Sequence, residues 1–221
     1  MAVRTLRLAH RGDGRHAPEN SLAALAAALA VPACDGLEVD VRRSADGVLV
    51  IAHDATLRRV HGRPERVDAL SAGALGALGV PTLAEVLMAV GRRPFLDIEL
   101  KGDPGPTIVE VLAAGRGPVL ANAVVSSFEP EALERVAHLA PSWPRWLNST
   151  TLDATTVAQA LDLGCRAIVA EWHALDGDSV GLARAAGLDV AAYTVRSRKI
   201  YERLEGLGVI AICAEAQALD G

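Results

Sequence analysis

Eight short apolar runs, separated by alanine- and leucine-rich stretches, constrain this 221-residue chain more than any other feature. The runs fall near 6–10, 36–41, 95–100, 122–127, 145–148, 166–171, 189–195 and 208–213, and their length and flanking turns mark them as strands. Helical periodicity fills the segments near 21–30, 82–91, 105–114, 129–139, 154–163, 178–186 and 198–206. Strands that alternate with helices pair in parallel. Eight of them predict an α/β fold of the closed (β/α)8 TIM type, at the short end of the usual length. An open doubly wound sheet is the alternative. No linker, repeat or low-complexity block divides the chain, so one domain over 1–221 is expected. Hydrophobic residues make up 51% and aromatics 3%, so aliphatic side chains and alanine must fill the core.

Local signals mark helix ends. Thr82 with Glu85, and Thr107 with Glu110, have capping-box spacing. Gly115, Gly187 and Gly206 stand where helices should stop. One segment breaks the alternation. After the second strand, Asp46-Gly47 separates two apolar runs, which predicts a two-residue hairpin with Ala45 opposite Val48. Residues 54–81 then read as a small insertion over one end of the barrel.

Chemistry concentrates at strand ends. His10-Arg11-Gly12 closes the first strand, and Pro18-Glu19-Asn20-Ser21 opens the first helix. Imidazole moves protons near neutral pH, and guanidinium grips phosphate in a fixed fork. Glu38 and Asp40 lie two apart on a strand and share a face. Asp97, Glu99 and Lys101 do the same on the third barrel strand. The hairpin register sets His53 opposite Asp40, with Cβ atoms about 4.5–5.5 Å apart. Carboxylates this close repel unless arginines or a metal ion neutralise them. Three of them, Glu38, Asp40 and Glu99, suit a hard divalent cation, Mg²⁺ or Ca²⁺ with Mn²⁺ also admissible. Arg11 and Lys101 would add fixed positive charge, and His10 and His53 would act as acid and base in an order the residues leave open. His173, which follows the strand near 166–171, is a candidate pocket residue that could touch substrate from the rim. His16, His61 and His138 read as surface histidines. Arg58, Arg59, Arg63 and Arg66 form a basic run that is either a solvated face or an aid in drawing in an anionic substrate.

The net charge of −5 excludes a broad basic face for nucleic acid. Cys34, Cys165 and Cys213 are scattered and odd in number, which predicts free thiols in a reducing compartment. With no secretory signal or bilayer-length apolar run in the sequence, a cytoplasmic protein without a membrane anchor is the expectation.

Taken in order, His10-Arg11-Gly12, Pro18-Glu19-Asn20-Ser21, Glu38-Val39-Asp40, His53-Asp54 and Glu99-Leu100-Lys101 resemble the glycerophosphodiester phosphodiesterase family. Pro81-Thr82-Leu83-Ala84-Glu85-Val86-Leu87, Ser126-Ser127-Phe128 and Tyr193-Thr194-Val195 extend the likeness. The resemblance implies a TIM-type barrel with an insertion after the His-Asp strand. It also implies metal-dependent hydrolysis of glycerophosphodiesters to glycerol 3-phosphate and an alcohol, the substrate's own hydroxyl attacking phosphorus and water opening the cyclic phosphate. By position, Glu38, Asp40 and Glu99 match the metal ligands, His10 and His53 the catalytic pair, and Arg11 and Lys101 the phosphate contacts. Ser21, Tyr193 and Arg196 differ from the usual Thr, Trp and Asn, and the last strand, which leads into Ala214-Glu215, lacks the usual Thr-Asp ending. These departures lie on the rim that shapes the alcohol pocket. Alternatives are lysophospholipase D-type hydrolysis and a barrel that binds an anion without chemistry.

Overall fold

The computed structural model describes residues 4–221. Among the described residues nine strands form one sheet: β1 (Leu6–His10), β2 (Gly36–Arg43), β3 (Leu49–Ile51), β4 (Phe95–Leu100), β5 (Ala123–Ser127), β6 (Arg145–Ser149), β7 (Ala167–Glu171), β8 (Asp189–Val195) and β9 (Ala211–Ala214). Eight are parallel neighbours in the order β1-β9-β8-β7-β6-β5-β4-β2, and pairing of β1 with β2 closes the ring. Helices follow the strands around the outside. The sheet is therefore a closed (β/α)8 barrel, and β3 adds to β2 as an antiparallel hairpin arm.

Alternation sorts the side chains. Leu37, Val39, Leu96 and Ile98 point outward and pack beneath the helices, in a cluster that also holds Leu25, Val86 and Leu112. Leu8, Val124, Trp146, Val169, Ala191 and Ala211 fill the lower barrel interior, where Phe95 stacks on Trp146 with centroids 5.7 Å apart. Glu38, Asp40, Asp97, Glu99 and Lys101 therefore share the inward face above this plug. Gly36 opens β2 because a Cβ there would lie 2.1 Å from the Phe95 carbonyl oxygen.

The hairpin differs from its predicted register. Arg43 faces Leu49, and the Ser44 N–H donates to the Val48 carbonyl (2.9 Å), so the loop is the three residues 45–47. Gly47 takes the left-handed conformation (φ +79°), and the Ser44 hydroxyl accepts from the Val48 N–H (3.0 Å). Asp40 consequently meets Ala52, whose N–H donates to the Asp40 carbonyl (2.9 Å). His53 is one residue further on, beyond the end of β3.

The insertion over 54–81 is more ordered than its sequence pattern predicts. Val50, Leu57, Val67, Leu75 and Val80 form an apolar nucleus of their own, framed by short helical turns at 58–61, 67–69 and 72–76. The Thr82–Glu85 capping box forms. The Thr107–Glu110 box does not, because Thr107 is already inside its helix and Pro106 holds the cap position. Gly115 also lies inside that helix, where a Cβ would meet Leu87 Cδ1 at 2.8 Å, and the helix stops at Gly117 instead. Gly187 follows a helix end as expected, whereas Gly206 is still helical. The three cysteines are free. Among the described residues no helix is long and apolar enough to cross a membrane.

Candidate active site

The register of β2 on β4 sets Glu38 beside Asp97 and Asp40 beside Glu99. Glu38, Asp40 and Glu99 are 3%, 0% and 6% exposed, and one carboxylate oxygen from each lies within 4.8 Å of the others. Burial drives the Glu38 carboxyl well above the ordinary carboxylate range, and the charges of Asp40 and Glu99 push it further. Burial also raises Glu99. Asp40 is held low despite its burial, because Lys101 and Arg11 flank it. Lys101 Nζ is 3.2 Å from Asp40 Oδ1 and also pairs with Glu99. Arg11 Nε is 3.1 Å from Asp40 Oδ2, and Asn20 Nδ2 donates to that same oxygen (2.8 Å). Arg11 and Lys101 thus lean on carboxylates instead of standing free.

Glu38 Oε1 is nevertheless buried with no hydrogen bond among the described residues, and Asp40 Oδ1 meets only the Lys101 ammonium (3.2 Å). Orphaned anionic oxygens in a protein interior cost free energy unless a cation meets them. A hard divalent ion is the group that fits this all-oxygen set.

The two histidines are built alike. His10 ends β1, and its Nδ1 lies 2.5 Å from Glu215 Oε1. Its Nε2 is 3.9 Å from Glu38 Oε2. Glu215 follows β9, which pairs with β1, and Arg196 Nε donates to its other oxygen (2.7 Å). Burial would raise Glu215, but His10 and Arg196 outweigh it and hold the carboxyl at about 2. His53 Nδ1 lies 2.7 Å from Asp54 Oδ1, and Arg59 Nε donates to Asp54 Oδ2 (2.7 Å). Each imidazole therefore has Nδ1 tied to an arginine-held carboxylate, and each keeps Nε2 for other work. Burial outweighs the nearby acids at His53 and lowers its pKa. The one-residue slip of the hairpin does not remove His53 from the site, because the chain has left β3 by then.

Pro18-Glu19-Asn20-Ser21 explains itself here. Glu19 joins Arg11 (3.0 Å) to Arg59 (2.6 Å). Asn20 holds Asp40, and the Ser21 hydroxyl accepts from the Ala24 N–H (3.2 Å) to cap the helix.

A cavity of about 160 Å³ sits among these groups. His10, Arg11, Glu38, His53, Glu99 and Lys101 line it, and Phe128, Asn148 and Tyr193 complete the far wall. Tyr193 stands edge-on to Phe128 and donates its hydroxyl to the Ser149 carbonyl (3.0 Å). His173 is outside this lining. It is exposed, stacks on Trp172 and pairs with Glu171 (2.6 Å), so it is a rim residue and not a pocket residue. Sequence reasoning missed Glu215 as the partner of His10. The signal was its place just after the last barrel strand, which the sheet brings next to β1.

Asp97 was visible on the inward face but given no role. It lies below the acidic cluster and accepts from the Ser126 hydroxyl (2.6 Å), and burial lifts its carboxyl to about 7. A carboxyl raised on folding stabilises the protein fully below its unfolded pKa, near 4, and loses that contribution as pH rises through about 7. In chelator-treated protein, Asp97→Asn should therefore match the parent near pH 4 and exceed its stability by about 2–4 kcal/mol at pH 8. Urea unfolding across pH checks this; equal stability at pH 8 would contradict it.

Residues 10–216 match the model of the glycerophosphoryl diester phosphodiesterase family. The chain belongs to this family. That places it among phosphoric diester hydrolases. A glycerophosphodiester phosphodiesterase of Caldanaerobacter subterraneus subsp. tengcongensis is 34% identical over 157 residues, which span 63% of this chain and 64% of that protein, just under two thirds of its length. A Bacillus subtilis glycerophosphodiester phosphodiesterase is 27% identical over 95% of this chain and 83% of its own. Among solved structures, an Oleispira antarctica phosphodiesterase in complex with the product sn-glycerol-3-phosphate superposes with a TM-score of 0.85 at 26% identity, covering 96% of this chain and 93% of that one. A glycerophosphodiester phosphodiesterase from Agrobacterium tumefaciens gives 0.83 at 26% identity, with 98% of each chain covered.

Proposed function

We propose that the protein hydrolyses glycerophosphodiesters to sn-glycerol 3-phosphate and an alcohol, with a divalent cation held by Glu38, Asp40 and Glu99. The carrying observation is the joint placement of three buried carboxylates, one with an orphaned oxygen, and two carboxylate-anchored imidazoles around one cavity. When bound, the cation supplies fixed positive charge that polarises the phosphoryl oxygens.

The remaining steps belong to side chains. Lys101 and the outer nitrogen of Arg11 meet the phosphate oxygens. His53, kept neutral by burial, takes at Nε2 the proton of the attacking glycerol hydroxyl. His10 gives a proton from Nε2 to the departing alkoxide, while Glu215 steadies its ring through Nδ1. The hydroxyl oxygen bonds to phosphorus as the phosphorus–alcohol bond breaks, leaving a cyclic phosphate and the free alcohol. Water then opens the ring with the two imidazoles in reversed roles. The cavity that gathers these reacting groups is about 160 Å³. The complex of the Oleispira antarctica relative with sn-glycerol-3-phosphate supports the same product here.

The test is a screen of glycerophosphocholine, glycerophosphoethanolamine and glycerophosphoglycerol, with chelator or with Mg²⁺, Mn²⁺ or Ca²⁺. We expect sn-glycerol 3-phosphate to be released, the activity to vanish with chelator, and an added ion to restore it. Inactivity on these compounds, and on cyclic phosphates and lysophospholipids, under every ion would leave only an anion-binding barrel.

A further inference from the structure

Next to the catalytic cavity lies a second one of about 330 Å³, and Lys101 lines both. Its wall carries three guanidinium groups, Arg42, Arg43 and Arg66. Arg42 follows Glu38 and Asp40 on the inward face of β2, so it stands above the carboxylates at the barrel mouth. Its Nε donates to the His53 carbonyl (2.9 Å). Arg43 is exposed and lies against Gly105, where a Cβ would be 3.2 Å from its Nη1. Arg66 comes from the basic run of the insertion.

The acids in this wall are already engaged. Asp68 holds Arg66 (2.6 Å) and Asp103 accepts from Arg135 (3.3 Å), whereas Arg42 and Arg43 form no ion pair among the described residues. Arg42 is half-buried. With one donor on a carbonyl and no carboxylate in ion-pair contact among the described residues, its guanidinium keeps donors for an anionic ligand. The cavity also continues from Lys101, the residue we place on the scissile phosphate. With the glycerol half seated in the catalytic cavity, a ligand in the second one would be the part of the substrate that leaves.

We propose that this second cavity is a subsite for a phosphate monoester on the leaving alcohol, so that the favoured substrates are glycerophosphodiesters of phosphorylated alcohols. The proposal rests on the phosphodiesterase reading above. A phosphate monoester brings about −1.5 to −2 charge and three acceptor oxygens. Two unpaired guanidinium groups with Lys101 and Arg66 beside them match that demand better than a single carboxylate would. A cationic alcohol such as choline meets repulsion in the same place.

The experiment compares kcat/KM for glycerophosphocholine, glycerophosphoglycerol and glycerophosphoglycerol that carries a second, terminal phosphate on its leaving glycerol, in the parent enzyme and in Arg43→Gln. Arg43 is exposed and has no part in the reaction steps, so the variant keeps its fold and basal turnover. The phosphorylated diester should be preferred over the glycerol diester by about tenfold or more, and Arg43→Gln should remove most of that preference while changing the glycerol diester by less than about twofold. No preference in the parent enzyme, or an equal loss on all three diesters, would overturn the subsite. A second reading needs no turnover and separates this proposal from the reaction itself. Inorganic phosphate titrated into chelator-treated protein should bind about tenfold more weakly to Arg43→Gln; unchanged affinity would refute the subsite even in a fully active enzyme.

Discussion

His53→Ala should lower kcat for any glycerophosphodiester by roughly 10²–10⁴-fold, the usual worth of a positioned general base. The expectation comes from geometry. The ring is half-buried and tied at Nδ1 to Asp54, so Nε2 has a fixed direction. Burial keeps it neutral and able to accept a proton near pH 7. The carboxylates are untouched by the change, so added Mg²⁺ or Mn²⁺ should still raise the melting temperature of the variant. Stopped assays and thermal unfolding on one preparation check both halves. Turnover close to that of the parent would remove His53 from the mechanism, and a lost thermal shift would mean that it serves the ion.

Glu38→Gln should separate stability from function in the opposite way. It should cut activity by at least about 10²-fold, because an ionic ligand becomes a neutral amide. It should also erase the ion-induced rise in melting temperature. Without the ion the same variant should be more stable than the parent by about 1–3 kcal/mol, since a poorly compensated buried charge has gone. The new amide nitrogen would replace the orphaned Oε1 and could donate to the neighbouring acids, while the remaining oxygen still accepts from the Arg11 N–H (3.2 Å). The sign with pH follows from the raised Glu38 carboxyl. The parent keeps its full stability below the unfolded pKa, near 4.5, and loses it as pH rises through the higher folded value. The advantage of Glu38→Gln should therefore be small at pH 4 and grow toward alkaline pH. Chemical denaturation with chelator measures this. A variant less stable than the parent at pH 8 would mean that Arg11 and Lys101 already neutralise the cluster.

The barrel was legible because its strands are buried on both faces. Leu37, Val39, Ile98 and Val190 therefore read as apolar runs bounded by turns and caps. The acids were legible because period-two spacing sets Glu38 with Asp40, and Asp97 with Glu99, on one face whatever the register. What depends on turn detail was harder to read. Asp46-Gly47 suggests two loop residues, but Ser44 and Gly47 make a three-residue loop and shift the pairing by one. The nucleus of the insertion was hidden because Leu57, Val67 and Leu75 are too irregularly spaced to show a period. Glu215 was hidden for another reason: sheet closure, not local pattern, brings it to His10.

That closure has a consequence for biosynthesis. His10 and its carboxylate partner are 205 positions apart, so no early fragment can hold the imidazole in its working orientation. A polypeptide leaving the ribosome gains its first strand almost at once but must wait for residue 215 to emerge and seal the ring. Such distant pairing also slows folding.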